Sequence, residues 1–249
     1  MHHSSDPEIS RDLATPASAL AIAAHPDDVE FQCGATLAKW AADGCVVHHL
    51  ICTDGSKGTW DVECDQAALV ATRQTEQAAA ARALGASGRQ IFLGWPDGEL
   101  EAGIRQRAEI AGWIRQLRPT VVLGHDPWKR YRLHPDHRAA GFLAVDGVVA
   151  ARDPFFFPEQ GLAHHRPDEL LLFEAQEPTH AELAGAHADS KVAALLEHRS
   201  QFVTTMEIDD PDEEAQRQAF AERELARLEH DGGVHGVEPA ELFARMTGL

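Results

Sequence analysis

The sequence predicts an α/β fold: a doubly wound, mostly parallel sheet with helices on both faces. Three observations carry that prediction. Short apolar runs of β-type composition recur along the chain from residue 18 onward. Stretches of good helix formers separate them, as the crossovers of a parallel sheet require. Polar clusters fall directly after the apolar runs, where sheets of this kind bind their ligands.

The elements follow in order. Residues 18–24 (SALAIAA) are apolar and end at His25-Pro26. Residues 35–43 read as a helix closed by Gly44, and residues 45–53 (CVVHHLICT) as a strand that stops at the turn signal Asp54-Gly55. Residues 66–84 are Ala-rich and helical, with Gly85 as the natural cap. A short strand over 90–93 precedes an amphipathic helix over 104–117, which Pro119 stops. Residues 120–123 and 169–173 are further strands; 136–151 and 190–201 are further helices. Beyond Asp209 the chain turns acidic, and 212–229 reads as a solvated terminal helix followed by a tail. The expected organisation is a flexible segment over 1–17, one principal domain over 18–205, and an acidic helical extension over 206–249 packed on that domain.

Composition narrows the function. The chain has 249 residues with 22 Lys plus Arg against 40 Asp plus Glu, a formal net charge of −18. Such a surface repels phosphate backbones, so nucleic acid is not an expected partner. It also supplies no basic patch for anionic lipid, and no apolar run is long enough for membrane insertion. The first residues carry no apolar stretch before a cleavage site, so the expected compartment is the cytoplasm. Cys33, Cys45, Cys52 and Cys64 form no Cys-x-x-Cys pair and read as free, packed thiols. His2 and His3 are assigned no function.

Two clusters carry chemistry. After the first long strand comes His25-Pro26-Asp27-Asp28. A dinucleotide fold would place glycines there, to let the backbone approach a pyrophosphate. An imidazole and two carboxylates suit a divalent metal instead. Neighbouring carboxylates point in different directions, so one can bind metal with His25 while the other faces water. The alternative for this loop alone is an Asp-capped helix start. The second cluster, His134-Pro135-Asp136-His137, again lies between a strand and a helix. One more ligand from it completes two His and one carboxylate, the open set of catalytic zinc sites. Zinc lowers the pKa of a bound water to about 7, and a nearby carboxylate can take its proton. A remaining imidazole can stabilise an oxyanion, with Asp136 orienting it and raising its pKa.

Ala24-His25-Pro26-Asp27-Asp28-Val29-Glu30 together with His134-Pro135-Asp136-His137 resembles the PIG-L/LmbE family of metal-dependent N-deacetylases. Thr53-Asp54-Gly55-Ser56-Lys57-Gly58, Arg73-Gln74-Thr75-Glu76 with Ala83-Leu84-Gly85, and Gly94-Trp95-Pro96-Asp97-Gly98 extend the resemblance across residues 18–205. The resemblance implies a Rossmann-like sheet and one zinc ion, with Fe2+ or another divalent metal as substitutes. It implies His25, Asp28 and His137 as ligands, Asp27 as general base, and His134 as the oxyanion-stabilising imidazole oriented by Asp136. Arg73 and Asp97 match sugar-contacting positions. Tyr131 lies near a mobile tyrosine of some members, at a spacing from His134 one residue longer.

Other residues have weaker claims. His48 and His49 are neighbours in a strand, face opposite sides and cannot share a site. His125 is expected behind the ligands. Trp60, Trp95 and Trp128 sit near strand ends, where an aromatic face can pack on a sugar or on the core; Trp95 is counted among the substrate-binding residues. Lys129, Arg130, Arg132 and Arg138 either attract an anionic substrate group or pair with local acids. The expected function is hydrolysis of the acetyl (acyl) group from the amide nitrogen of an N-acetylglucosamine-type small molecule, with homo-oligomerisation possible. An amidase acting on a larger thiol-conjugated amino sugar is the near alternative. A non-haem Fe(II) oxygenase shares the ligand set, and a sugar-binding protein without activity would lack Asp27 or a ligand.

Overall fold

The computed structural model describes residues 9–210 and 212–249. Its strands and helices, in chain order, are β1 (Ser10–Arg11), β2 (Ser18–Ala23), α1 (Asp28–Ala42), β3 (Val46–Thr53), α2 (Gln66–Ala83), β4 (Gln90–Trp95), α3 (Ile104–Leu117), β5 (Val121–His125), α4 (Pro135–Arg152), β6 (Glu169–Phe173), β7 (His180–Leu183), α5 (Ala188–Leu195), α6 (Glu214–Val234) and β8 (Ala240–Thr247). All strands form one sheet in the order β1-β7-β8-β6-β5-β2-β3-β4. Strands β4, β3, β2, β5 and β6 are mutually parallel; among the described strands only β8 runs antiparallel to its neighbours. The fold is the mostly parallel α/β sheet that the alternating pattern predicts.

β2 shows why. Ala19 to Ala23 are all fully buried, because helices cover both faces of the sheet. Leu20 and Ile22 pack with Ile110 and Ile114 of α3 and Leu143 of α4. Ala19, Ala21 and Ala23 face the other way, toward Leu37 and Trp40 of α1. The chain runs outward from β2 to β3 and β4, then returns to β5 on the other side of β2. The β2/β5 boundary is therefore the switch point, and the loops leaving these two strands diverge to open a crevice.

Three expectations change. α1 begins at Asp28 rather than at residue 35, because Cys33 (φ −143°) kinks it and only its second half reads as a regular helix. The kink frees backbone amides inside the helix. Glu241 of β8 accepts from the N–H groups of Ala35 (3.2 Å) and Thr36 (2.8 Å), and buried Lys191 of α5 neutralises it at 2.8 Å. The segment expected to be flexible before residue 18 is docked over its described part: Ile9 is buried and β1 pairs in parallel with β7. His2 and His3 lie outside the described residues. The expected tail after α6 instead contains β8, which inserts between β6 and β7. α6 is not simply solvated, since Phe220 and Leu228 are buried and Phe31 meets Phe220 edge to face. Among the described residues, no helix is long and apolar enough to cross a membrane. All four cysteines are unpaired, three of them buried.

Candidate active site

The two His-Pro-Asp loops meet at the switch point. His25 follows β2 directly, and its Nδ1 lies 3.1 Å from Nε2 of His137 in the first turn of α4. Asp28 opens α1 and closes a triangle, one carboxylate oxygen 3.4 Å from His25 Nδ1 and the other 3.3 Å from His137 Nε2. Ligand atoms about 2.0–2.2 Å from a tetrahedral zinc are separated by about 3.4 Å. The donors and their spacing suit zinc or a similar divalent ion, with a different Asp28 oxygen near each imidazole, and His134, Asp97, Asp136 and His125 lie close enough to offer further donors. The triangle lines a cavity of about 480 Å³ together with Asp27, Arg73, Asp97, Arg132, His134 and Glu174.

Each member is fixed from behind. The second nitrogen of His25, Nε2, faces two carboxylates, Asp97 Oδ1 and Asp136 Oδ2, both at 3.2 Å. Such partners hold a ligating imidazole in one tautomer with Nδ1 free toward the metal. Asp136 in turn accepts from the backbone N–H groups of Gly98 (2.6 Å) and Leu100 (3.1 Å). Asp97 accepts from Lys57 N at 3.0 Å and donates its own N–H to Asp54 at 3.1 Å. Asp28 also meets His125 Nε2 at 3.4 Å, while His125 Nδ1 faces Glu174 at 3.0 Å. Burial opposes the charge on His125, but these two carboxylates outweigh it and raise its pKa. His125 Nε2 also lies 3.4 Å from the backbone nitrogen of Ala24, and His125 stands close enough to Asp28 and His137 to offer a donor with them. Burial likewise opposes ionisation of Asp28, yet His125 and His25 hold its carboxyl well below the usual range.

Asp27 precedes α1 with φ 101°, a left-handed conformation that non-glycine residues rarely adopt. Asp27 thus meets Arg73 while Asp28 meets His25, His125 and His137. Arg73 of α2 reaches Asp27 Oδ2 at 3.4 Å and donates to the carbonyls of Pro26 (2.6 Å) and Gly55 (2.8 Å). Burial raises the pKa of Asp27; Arg73 counteracts part of that rise and Asp28 adds to it. A carboxylate with a raised pKa beside such a donor cluster is chemically able to accept a proton near neutral pH.

His134 caps α4, its Nδ1 accepting from Asp136 N at 3.3 Å. In the neutral ring, Nε2 is then the donor. Its ring sits 4.6 Å from that of His25 and stacks on His137 at 4.8 Å. One expectation about Asp136 needs correction. Its carboxylate meets His25, and it meets His134 through its backbone N–H. Asp136 acts to raise the pKa of His134, as expected, but burial and the neighbouring His25 outweigh it and lower that pKa.

Several residues stand elsewhere than expected. Trp95 does not line the cavity; its indole N–H donates to Glu109 of α3 at 2.7 Å and its ring packs on the core. Tyr131 is 85% exposed beside Arg130 and also lies outside the cavity lining. Trp60 and Trp128 are exposed. Of the basic patch, Arg132 pairs with Glu174 at 2.5 Å and contacts His137 Nδ1 in the cavity, and Arg138 donates to the carbonyls of Arg132 and Leu133. His48 accepts from Arg89 N at 2.8 Å, and His49 is buried near Glu30. Sequence reasoning misses Gln77, Glu174, His198 and Gln201. Gln77 lies one helical turn after Arg73, and that i,i+4 spacing is the one signal that could find it.

The family described as PIG-L, GlcNAc-PI de-N-acetylase, matches residues 20–148. The diacetylchitobiose deacetylase of Thermococcus kodakarensis is 36% identical over 186 residues, covering 74% of this chain and 69% of that one. A 1D-myo-inositol 2-acetamido-2-deoxy-alpha-D-glucopyranoside deacetylase of Streptomyces avermitilis is 34% identical over 170 residues, which span 57% of this chain and 56% of the relative. The solved N,N'-diacetylchitobiose deacetylase of Pyrococcus horikoshii, complexed with its inhibitor MPG, superposes with a TM-score of 0.83 at 28% identity, over 94% of this chain and 85% of that chain. With the matched stretch running from β2 through the His-Pro-Asp-His loop into α4, the chain belongs to the PIG-L family of de-N-acetylases.

Proposed function

We propose that the chain is a metal-dependent hydrolase that removes an acetyl group from the amide nitrogen of an N-acetylglucosamine-type substrate. The observation that carries this reading is the triangle of His25, Asp28 and His137 opening on a cavity that also holds Asp27. The family membership and the deacetylase activities of the relatives support it.

His25 Nδ1, Asp28 and His137 Nε2 would hold the metal, for which zinc is proposed. Zinc lowers the pKa of water to about 7 and polarises a carbonyl oxygen. The chain's own residues do the rest. Asp27 takes the proton of the attacking water on its carboxylate. His134 presents Nε2–H toward the oxygen that gains charge as the carbonyl becomes tetrahedral. The proton held by Asp27 is then available to the departing amine nitrogen. Arg73 keeps Asp27 in place, and Asp97 and Asp136 fix His25. In this reading Arg73 and Asp97 touch the sugar only with what remains of their hydrogen-bonding capacity. Unpaired cysteines accord with the proposed cytoplasmic setting.

The test is acetate release from a panel of N-acetylglucosamine glycosides, including the free sugar, the chitobiose disaccharide and an inositol conjugate, with and without chelator. Metal-dependent acetate release is expected. No acetate from any of them with metal bound overturns the reading. Metal analysis with an oxygen-uptake assay separates it from iron oxygenase chemistry, because the same two-His, one-carboxylate set suits Fe(II).

A further inference from the structure

The backbone N–H of Asp27 lies ahead of the first turn of α1, so no helical carbonyl is available to it. It donates to Oε1 of Gln77 at 3.0 Å. Gln77 is fully buried on α2, four residues after Arg73, so one face of this helix grips Asp27 twice. Arg73 meets the carboxylate, and Gln77 meets the backbone.

The amide of Gln77 has only one orientation that satisfies its surroundings. Its Nε2 donates to Glu30 Oε1 at 2.6 Å and approaches His49 Nδ1 at 3.3 Å. Turned over, the amide would set its oxygen against the Glu30 carboxylate and its NH2 against the Asp27 N–H, two clashes of like polarity. Glu30 is held in turn by His198, Nε2 to Oε2 at 3.3 Å. This chain of contacts joins α1, α2, β3 and the turn after α5, and none of it reaches the cavity except through Asp27.

We infer that Gln77 is a positioning residue for the proposed general base: it holds the left-handed peptide of Asp27 and thereby aims the Asp27 carboxylate, while Glu30 and His198 keep its amide the right way round. The inference rests on the proposed hydrolysis only for its kinetic consequence; its structural consequence stands alone.

The experiment compares wild type with Gln77→Met, which keeps the shape and removes both hydrogen bonds, and with the double variant carrying Asp27→Asn. The first readout is a crystal structure of metal-loaded Gln77→Met. Asp27 is expected to leave its left-handed conformation or to swing its carboxylate away from Arg73. An unchanged Asp27 overturns the inference, whatever reaction the enzyme catalyses. The second readout is kinetic. With metal content unchanged, kcat is expected to fall by about a hundredfold while KM changes by less than about threefold. In the Asp27→Asn background the same substitution should have almost no further effect, because it acts through a carboxylate already removed. Full additivity, or a rise in KM alone, overturns it in favour of a packing role. A wild type that releases no acetate while Gln77→Met still displaces Asp27 would refute the hydrolase reading and leave the positioning role standing.

Discussion

Nδ1 of His25 lies 3.1 Å from Nε2 of His137, although 112 positions separate the two in the chain. That separation suits an N–H···N hydrogen bond between the rings or two ligands on one cation, and for the cation Asp28 completes the donor set. His25→Ala and His137→Ala should therefore each weaken metal binding by more than about a hundredfold. Elemental analysis after dialysis against weak chelator checks this. Full occupancy in either variant would show that the metal sits elsewhere.

Asp27→Asn should keep metal and lose turnover. Removing a general base typically costs about 10²–10⁴ in rate. The measurement is kcat beside metal stoichiometry on the same preparation. Loss of metal in this variant would make Asp27 a ligand rather than a base.

Lys191→Met should destabilise the fold without touching the site. The substitution leaves Glu241 buried with its charge unpaired beside the kink of α1. Breaking a buried ion pair on one side costs about 3–5 kcal/mol. Urea unfolding at neutral pH reads it, and a loss below about 1 kcal/mol would mean that the pair is not held as described.

His198 gives stability a pH dependence. Burial works against its charge, but Glu30, aided by Asp27 and Glu76, outweighs burial and raises the pKa. A raised folded value means that the bound proton stabilises the native state fully below about pH 6.5, the unfolded value. That contribution is lost as pH rises through the folded value. The stability advantage of wild type over His198→Gln should shrink from mildly acidic to alkaline pH. Urea titrations across that range test it, and an advantage growing with pH would contradict the assignment.

What the sequence makes legible is local. β2, β3, β5 and β6 announce themselves because buried parallel strands are continuous apolar runs, and the ligands because His-Pro-Asp repeats at two strand ends. What is illegible depends on distant partners. The first turns of α1 carry Asp28, Glu30 and Gln32 and look like a loop until tertiary contacts bury Asp28 and Glu30. β7 reads as polar because His180 and Glu182 satisfy each other inside the sheet at 2.8 Å. Asp136 is mistaken for the partner of its sequence neighbour His134, because proximity in the chain says nothing of which way a carboxylate turns. Trp95 resembles a pocket residue by motif, but a strand residue pointing to the far face cannot reach the cavity.

β8 occupies the slot between β6 and β7, whose ends in sequence, Phe173 and His180, are only a short loop apart. During synthesis both of these strands leave the ribosome some sixty residues before the one that must lie between them (on the order of several seconds at ordinary elongation rates). For that interval the nascent sheet has a gap rather than a seam, with unpaired edges of the kind that recruit other chains. Truncation ahead of residue 240 would make the gap permanent, and the cost should appear as aggregation of new chains before any defect in chemistry is seen.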